Sequence, residues 1–328
     1  MIKVCANVSS IGIYSYKSHE KFAREQTMST IKVGMVGLDT SHCPAFAKLL
    51  NNPEVAGYVP GCQVVRAFPG GSELFSSSIN RVEGFTKQFK DEFGIEIAGS
   101  LEELADGMDA FMLESVDGRQ HLEQFKVLAE YGKPVFIDKP LACCYDDAVE
   151  IFKIAREKNV PVMTSSSLRY AMGIADALEA DEHVQACHAF GPMSILEDYR
   201  DYFWYGIHSA EVLFSLMGTG CKEVHSVVGK DYDLLVGVWE DGRIGTVTGK
   251  RVEPYNFGCS LLTDKCEKTT VATTDIPWYN LMIGPIVDFY KTGKSPIAEA
   301  ESLEIIAFLE AASRSRAANG AIIALNSL

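Results

Sequence analysis

The sequence predicts an α/β protein in two parts, a doubly wound parallel sheet followed by an α+β half. Three observations carry this. The chain has 328 residues, about two ordinary domains. From Ile31 onward, short β-branched runs alternate with stretches of helical length, as in parallel β-α-β units with right-handed crossovers. After about residue 170 longer strand-like runs take over, joined by hairpin signals.

Each element has a local reason. IKVGMVG (31–37) is an apolar strand that turns at Gly37, and 43–51 is a helix with Pro44 in its first turn. QVVRAF (63–68) is a strand closed by Pro69, Gly70 and Gly71, and a serine-rich interruption (72–78) follows. In 81–94, Val82, Phe85, Phe89 and Phe93 recur at helical spacing up to Gly94. IEIA (95–98) is a short strand; Ser100 and Glu103 form a capping box for 100–107. Residues 109–116, 134–138 and 161–167 are strands, and 119–131 and 145–158 are helices. In the second half, 171–180, 206–217, 279–291 and 301–317 are expected to be helical. Residues 222–229, 233–251 and 256–263 are expected to be strands, the middle run folding at Asp241-Gly242.

Apolar residues make up 47% of the chain and charged residues 23%, enough for a sizeable core. The net charge of −14 argues against nucleic-acid and membrane-surface partners. The longest stretch without Asp, Glu, Lys or Arg, His183–Leu196, is too short to span a bilayer as a helix. Nine cysteines without a C-x-x-C pair suggest neither a disulfide framework nor a zinc knuckle; reduced thiols are expected, and no metal site. Residues 1–27 carry +2 and read as a disordered or non-native extension, with a targeting peptide as the other reading. A cytoplasmic protein is expected.

Three stretches carry chemistry. Gly37-Leu38-Asp39-Thr40-Ser41-His42 sits between the first strand and first helix, where a dinucleotide fold offers backbone N–H groups to a pyrophosphate. Of the glycines in G-x-G-x-x-G only Gly37 is kept, and Asp39 is unfavourable beside a phosphate unless it points away. Thr40, Ser41 and His42 can donate to phosphate; the plainer alternative is a β-α turn with Asp39 or Ser41 as helix cap. Asp138-Lys139-Pro140 ends a strand, and Pro140 holds Lys139 extended at the sheet's carboxyl edge, where it is either a proton-transfer group or a surface lysine. His208 opens a helix behind Tyr202, Phe203, Trp204 and Tyr205. It is either a general base in a polyol pocket or a core histidine under aromatics.

In this order, with SVDGRQH (115–121), SSSLRY (165–170) and the TGKSPI and ESLEIIAFLEAA tail, the chain over roughly 31–310 resembles the glucose–fructose oxidoreductase, inositol dehydrogenase and rhizopine-catabolism (Gfo/Idh/MocA) family. The resemblance implies an N-terminal Rossmann domain (28–168) binding NAD or NADP. It also implies a C-terminal domain (169–328) with an open, mainly antiparallel sheet for substrate and oligomerisation, giving a homodimer or homotetramer. It assigns Lys139 and His208 as catalytic residues. Cofactor contacts fall on 37–42, Ser115, His121, Asp138 and Lys139, and substrate contacts on Arg169, Tyr170, Trp204 and Tyr205. Two departures stand out: D-K-P replaces the usual E-K-P, and Trp204 replaces an aspartate four residues before the histidine. Tryptophan only donates, so Asp198 or Asp201 would have to reach in, or His208 and Lys139 act alone. No carboxylate follows the second strand until Glu73. Ser72 and Arg81 could suit a 2′-phosphate, but Arg81 is far along the chain and reads rather as part of a surface loop, and NAD is favoured over NADP.

The expected function is hydride transfer between nicotinamide and a sugar, polyol or sugar-acid hydroxyl. Two rivals are kept: a redox-neutral lyase, epimerase or glycosidase that recycles its NAD, and a ligand-sensing regulator with a disabled site.

Overall fold

Residues 30–328 are described in the computed structural model; the expected extension at 1–27 lies outside the described residues. The first sheet has six strands, β1 (Ile31–Val36), β2 (Cys62–Phe68), β3 (Glu96–Ile97), β4 (Ala110–Leu113), β5 (Val135–Asp138) and β6 (Val162–Ser165). Their spatial order is β3-β2-β1-β4-β5-β6 and every pairing is parallel. Helices α1 (His42–Asn51), α2 (Ser76–Asp91), α3 (Leu101–Ala105), α4 (His121–Ala129) and α5 (Tyr145–Lys158) connect them. The order reverses between β1 and β4, so the crevice of the doubly wound fold opens above those two strand ends.

The expected capping box forms at α3: Ser100 Oγ accepts from the Glu103 N–H, while Glu103 accepts from Gly99 N–H. The serine-rich stretch is not a full interruption, since α2 begins within it at Ser76.

The second sheet runs β12-β11-β7-β10-β9-β8-β13. Its strands are β7 (Val184–Pro192), β8 (Cys221–Val228), β9 (Tyr232–Trp239), β10 (Ile244–Lys250), β11 (Gly258–Thr263), β12 (Glu267–Val271) and β13 (Ile323–Ala324). Only the β7–β10 pairing is parallel. The Asp241-Gly242 hairpin joins β9 to β10 as expected, with Gly242 at φ 87°. Side chains alternate in β8–β10, one face packing on α6 (Gly206–Met217) and α8 (Glu299–Ala317), the other left partly open.

One expected helix fails to form, and one strand was not expected. Residues 171–180 form turns rather than a helix, because Gly173 (φ 85°) lies so close to β12 that a Cβ there would sit 2.3 Å from the Val271 carbonyl oxygen. The uncharged stretch 183–196 holds a strand, β7, in the middle of the second sheet. Helix α7 (Trp278–Thr292) belongs by packing to the first sheet. Met282, Ile283, Ile286 and Val287 join the core of β1, β2 and α1, and Tyr290 donates to the Phe111 carbonyl. Among the described residues no helix is long and apolar enough to cross a membrane.

Candidate active site

Four chain segments meet above the β1/β4 reversal: the β1–α1 loop, the β4 exit, the β5 exit and the start of α6. Gly37 shows why glycine stands there. Its φ is 88°, and a Cβ would lie 2.3 Å from the Ser115 backbone nitrogen. Gly37 and Leu38 N–H groups donate to Phe68 and Pro69 carbonyls, and Leu38 packs into the core.

Asp39 is fully buried and turned inward. One carboxylate oxygen accepts from the Val116 N–H at 2.9 Å and the other from the Ser78 hydroxyl at 2.5 Å. Burial still pushes its pKa above the usual carboxylate value. Asp39 therefore bridges β1 to β4, leaving the outer side of the loop free of its charge. Ser41 is exposed at the N-cap of α1 without capping through its side chain; Thr40 Oγ1 accepts from His42 N–H.

His42 points into the crevice floor, its ring 4.7 Å from that of Tyr279 and its Nδ1 2.9 Å from Asp138 Oδ2. Glu114, just past β4, is fully buried beside it, with Oε2 3.9 Å from the same nitrogen. Burial, and then the Asp138 charge, push Glu114 well above the usual carboxylate range. Burial also acts to raise Asp138, but His42 and Lys139 outweigh it and hold Asp138 at about 2. Lys139 is nearly buried, its Nζ 3.7 Å from Asp138 Oδ2 and 6.0 Å from the Trp204 ring centroid.

From the other half of the chain, His208 reaches the same crevice on the first turn of α6. Its Nδ1 lies 2.7 Å from Ser166 Oγ, just past β6. The Tyr205 and Phe257 rings each stand 5.5 Å from its ring. Burial first, and then Lys139 and His42, push its pKa well below the usual histidine value, so the imidazole is neutral at pH 7.

Residues 31–166 match the model of an oxidoreductase family with an NAD-binding Rossmann fold. This segment is similar to the Rossmann part of the Gfo/Idh/MocA family. An uncharacterised oxidoreductase of Streptococcus pneumoniae is 32% identical over 157 residues, a match spanning 42% of this chain and 42% of that relative's length. Among solved structures, apo scyllo-inositol dehydrogenase from Lactobacillus casei superposes with TM-score 0.72 at 13% identity, covering 92% of this chain and 100% of its own. The myo-inositol dehydrogenase from Lactobacillus casei in complex with NAD(H) and myo-inositol gives TM-score 0.71 at 15% identity, covering 90% of this chain and 97% of its own. Both have the same fold.

Within this fold the residues singled out in the sequence separate into two groups. The crevice gathers Gly37, Thr40, Ser41, His42, Ser115, Asp138, Lys139, Trp204, Tyr205 and His208. Others are engaged inside the protein. His121 is buried with its ring nitrogens 2.7 Å from the Ser115 carbonyl and 3.1 Å from that of Leu141. Arg169 is buried in ion pairs with Glu211 and Glu301, and Tyr170 packs on the core of β1, α1 and α7. Asp198 accepts from Ser76 N–H and Asp201 lies 3.8 Å from Arg316, so both are engaged away from His208. Glu114, Ser166, Phe257 and Tyr279 are crevice residues that the sequence reading passed over. Only the helix phase of Tyr279, on the face of α7 turned to α1, hinted at its position.

Proposed function

We propose that the protein is an NAD(P)-dependent oxidoreductase that transfers hydride between nicotinamide and a hydroxyl-bearing carbon of a sugar, polyol or sugar acid. The observation that carries this reading is the meeting of Lys139 and His208, from opposite halves of the chain, beside the crevice at the strand-order reversal.

The β1–α1 loop fits a dinucleotide despite its missing glycines. Gly37 keeps the close backbone approach, and the Asp39 carboxylate is turned away with both oxygens hydrogen-bonded inside. Gly37, Thr40, Ser41 and Ser115 would hold the pyrophosphate and nicotinamide side, with exposed Ser41 at the helix N-terminus. Ser72 is buried and donates to Asp117, so it is not free for a 2′-phosphate, which supports NAD over NADP.

Bound nicotinamide supplies the hydride acceptor. With Nδ1–H donating to Ser166 Oγ, the His208 Nε2 lone pair takes the substrate hydroxyl proton as the C–H bond gives up its hydride and the carbonyl forms. Lys139 stabilises the negative charge that develops on that oxygen. Trp204 and Tyr205 pack beside the reacting groups and exclude water. The partly open face of the second sheet, with Ile244 and Leu262 exposed on it, supports pairing with a second copy of the chain.

Nicotinamide fluorescence during NADH and NADPH titration tests the cofactor, and a panel of sugars and polyols with NAD tests net oxidation. His208→Ala should lower kcat by about 10²–10⁴-fold while leaving NADH binding intact. Absence of binding by either dinucleotide would overturn the reading. Product formation without net NADH would replace it with internal recycling of the cofactor.

A further inference from the structure

We propose that His42, Glu114 and Asp138 form a binding site for one divalent first-row transition-metal ion at the floor of the crevice. Three fully or nearly buried donor groups converge there from the start of α1 and the ends of β4 and β5, and one donor atom from each lies within 4.8 Å of the other two. His42 Nδ1 is 2.9 Å from Asp138 Oδ2 and 3.9 Å from Glu114 Oε2. These values bracket the edge of about 3.3 Å that tetrahedral ligands make at a metal distance of about 2.0–2.1 Å.

A second observation points to a ligand independently of the clustering. Both Glu114 oxygens are buried without any hydrogen-bond partner, and Asp138 is held by its ion pairs with His42 at 2.9 Å and Lys139 at 3.7 Å. Ser115 Oγ, on the next residue, is buried and unpartnered too. Native interiors pair their buried polar groups, so these orphaned atoms in one place call for a missing partner. Nearly all of these atoms are electron-pair donors. The neighbouring ammonium, Lys139, lies 3.7 Å from Asp138 and no closer than 4.0 Å to Glu114, so Glu114 has no ammonium partner. An ion supplies both the charge and the missing bonds. One imidazole nitrogen with carboxylate oxygens suits Zn²⁺, Mn²⁺ or Co²⁺, in a site with room for a further ligand from the crevice.

The inference is independent of the nicotinamide reading, because metal binding is read without dinucleotide present. The test is elemental analysis of the full chain expressed with Zn²⁺ or Mn²⁺, then chelation and titration with Co²⁺ followed by visible d–d absorption. About one ion per chain and a saturable Co²⁺ band are expected. Glu114→Gln and His42→Ala should weaken Co²⁺ binding by at least about tenfold, while His225→Asn, on β8, leaves it unchanged. Should either site variant misfold, X-ray absorption of the zinc-loaded natural protein decides, with one imidazole and otherwise oxygen ligands expected. A folded natural protein that takes up no Co²⁺, site variants that bind like it, or sulfur in the zinc shell would each overturn the proposal.

Discussion

Two corners of the same sheet edge handle buried charge in opposite ways. At the Asp39 corner each carboxylate oxygen has a donor, the Val116 N–H or the Ser78 hydroxyl. At the Glu114 corner, on the neighbouring strand end, neither Glu114 oxygen is hydrogen-bonded. Both corners bury an acid, but the first is a structural brace and the second has the form of a ligand site. Burial alone does not distinguish them; the donors around each oxygen do.

The comparison extends to the second half of the chain and breaks there first. Arg169 donates twice to Glu211 and pairs with Glu301, all three largely buried. Arg169→Met should strand the Glu211 carboxylate and cost about 4 kcal/mol in denaturant unfolding. A loss under 1 kcal/mol would mean that water reaches Glu211, and the satisfied class would lose its clearest member.

Asp39→Ala is the next largest effect. It orphans the Val116 N–H and Ser78 hydroxyl together, and a loss of about 3 kcal/mol is expected by the same measurement. If stability is unchanged while NADH binding weakens sharply, Asp39 serves the cofactor rather than the fold.

The sequence made the frame of this contrast legible but not its substance. Strand–helix alternation gave the parallel sheet, because each buried strand and its returning helix differ in length and composition. Glu114 escaped notice because 109–116 reads as one buried apolar strand, and nothing in its periodicity shows what surrounds a carboxylate at its end. His42 was expected to face a phosphate. It faces Asp138 instead, because α1 starts at His42 and the first turn aims that side chain down at the β5 exit. Lys139 and His208 were found by motif, but Ser166 and Tyr279 are brought in by β6 and by α7 folding back on the first sheet, long-range packing that no local pattern encodes. The turns at 171–180 follow the same logic, since contact with β12 overrides helical composition.

The smallest effect is the sharpest test of the contrast because its sign is reversed. Replacing a satisfied buried acid destabilises; replacing an unsatisfied one removes a carboxyl whose ionised form burial disfavours and supplies an amide of nearly the same shape. In metal-stripped protein, Glu114→Gln should therefore raise stability by about 1 kcal/mol, read as a higher Tm in the presence of chelator. With excess Zn²⁺ the order should invert, because only the natural protein gains the binding free energy of the ion. Equal melting of the two proteins under both conditions would show that Glu114 already has a partner, and the two corners would no longer differ in kind.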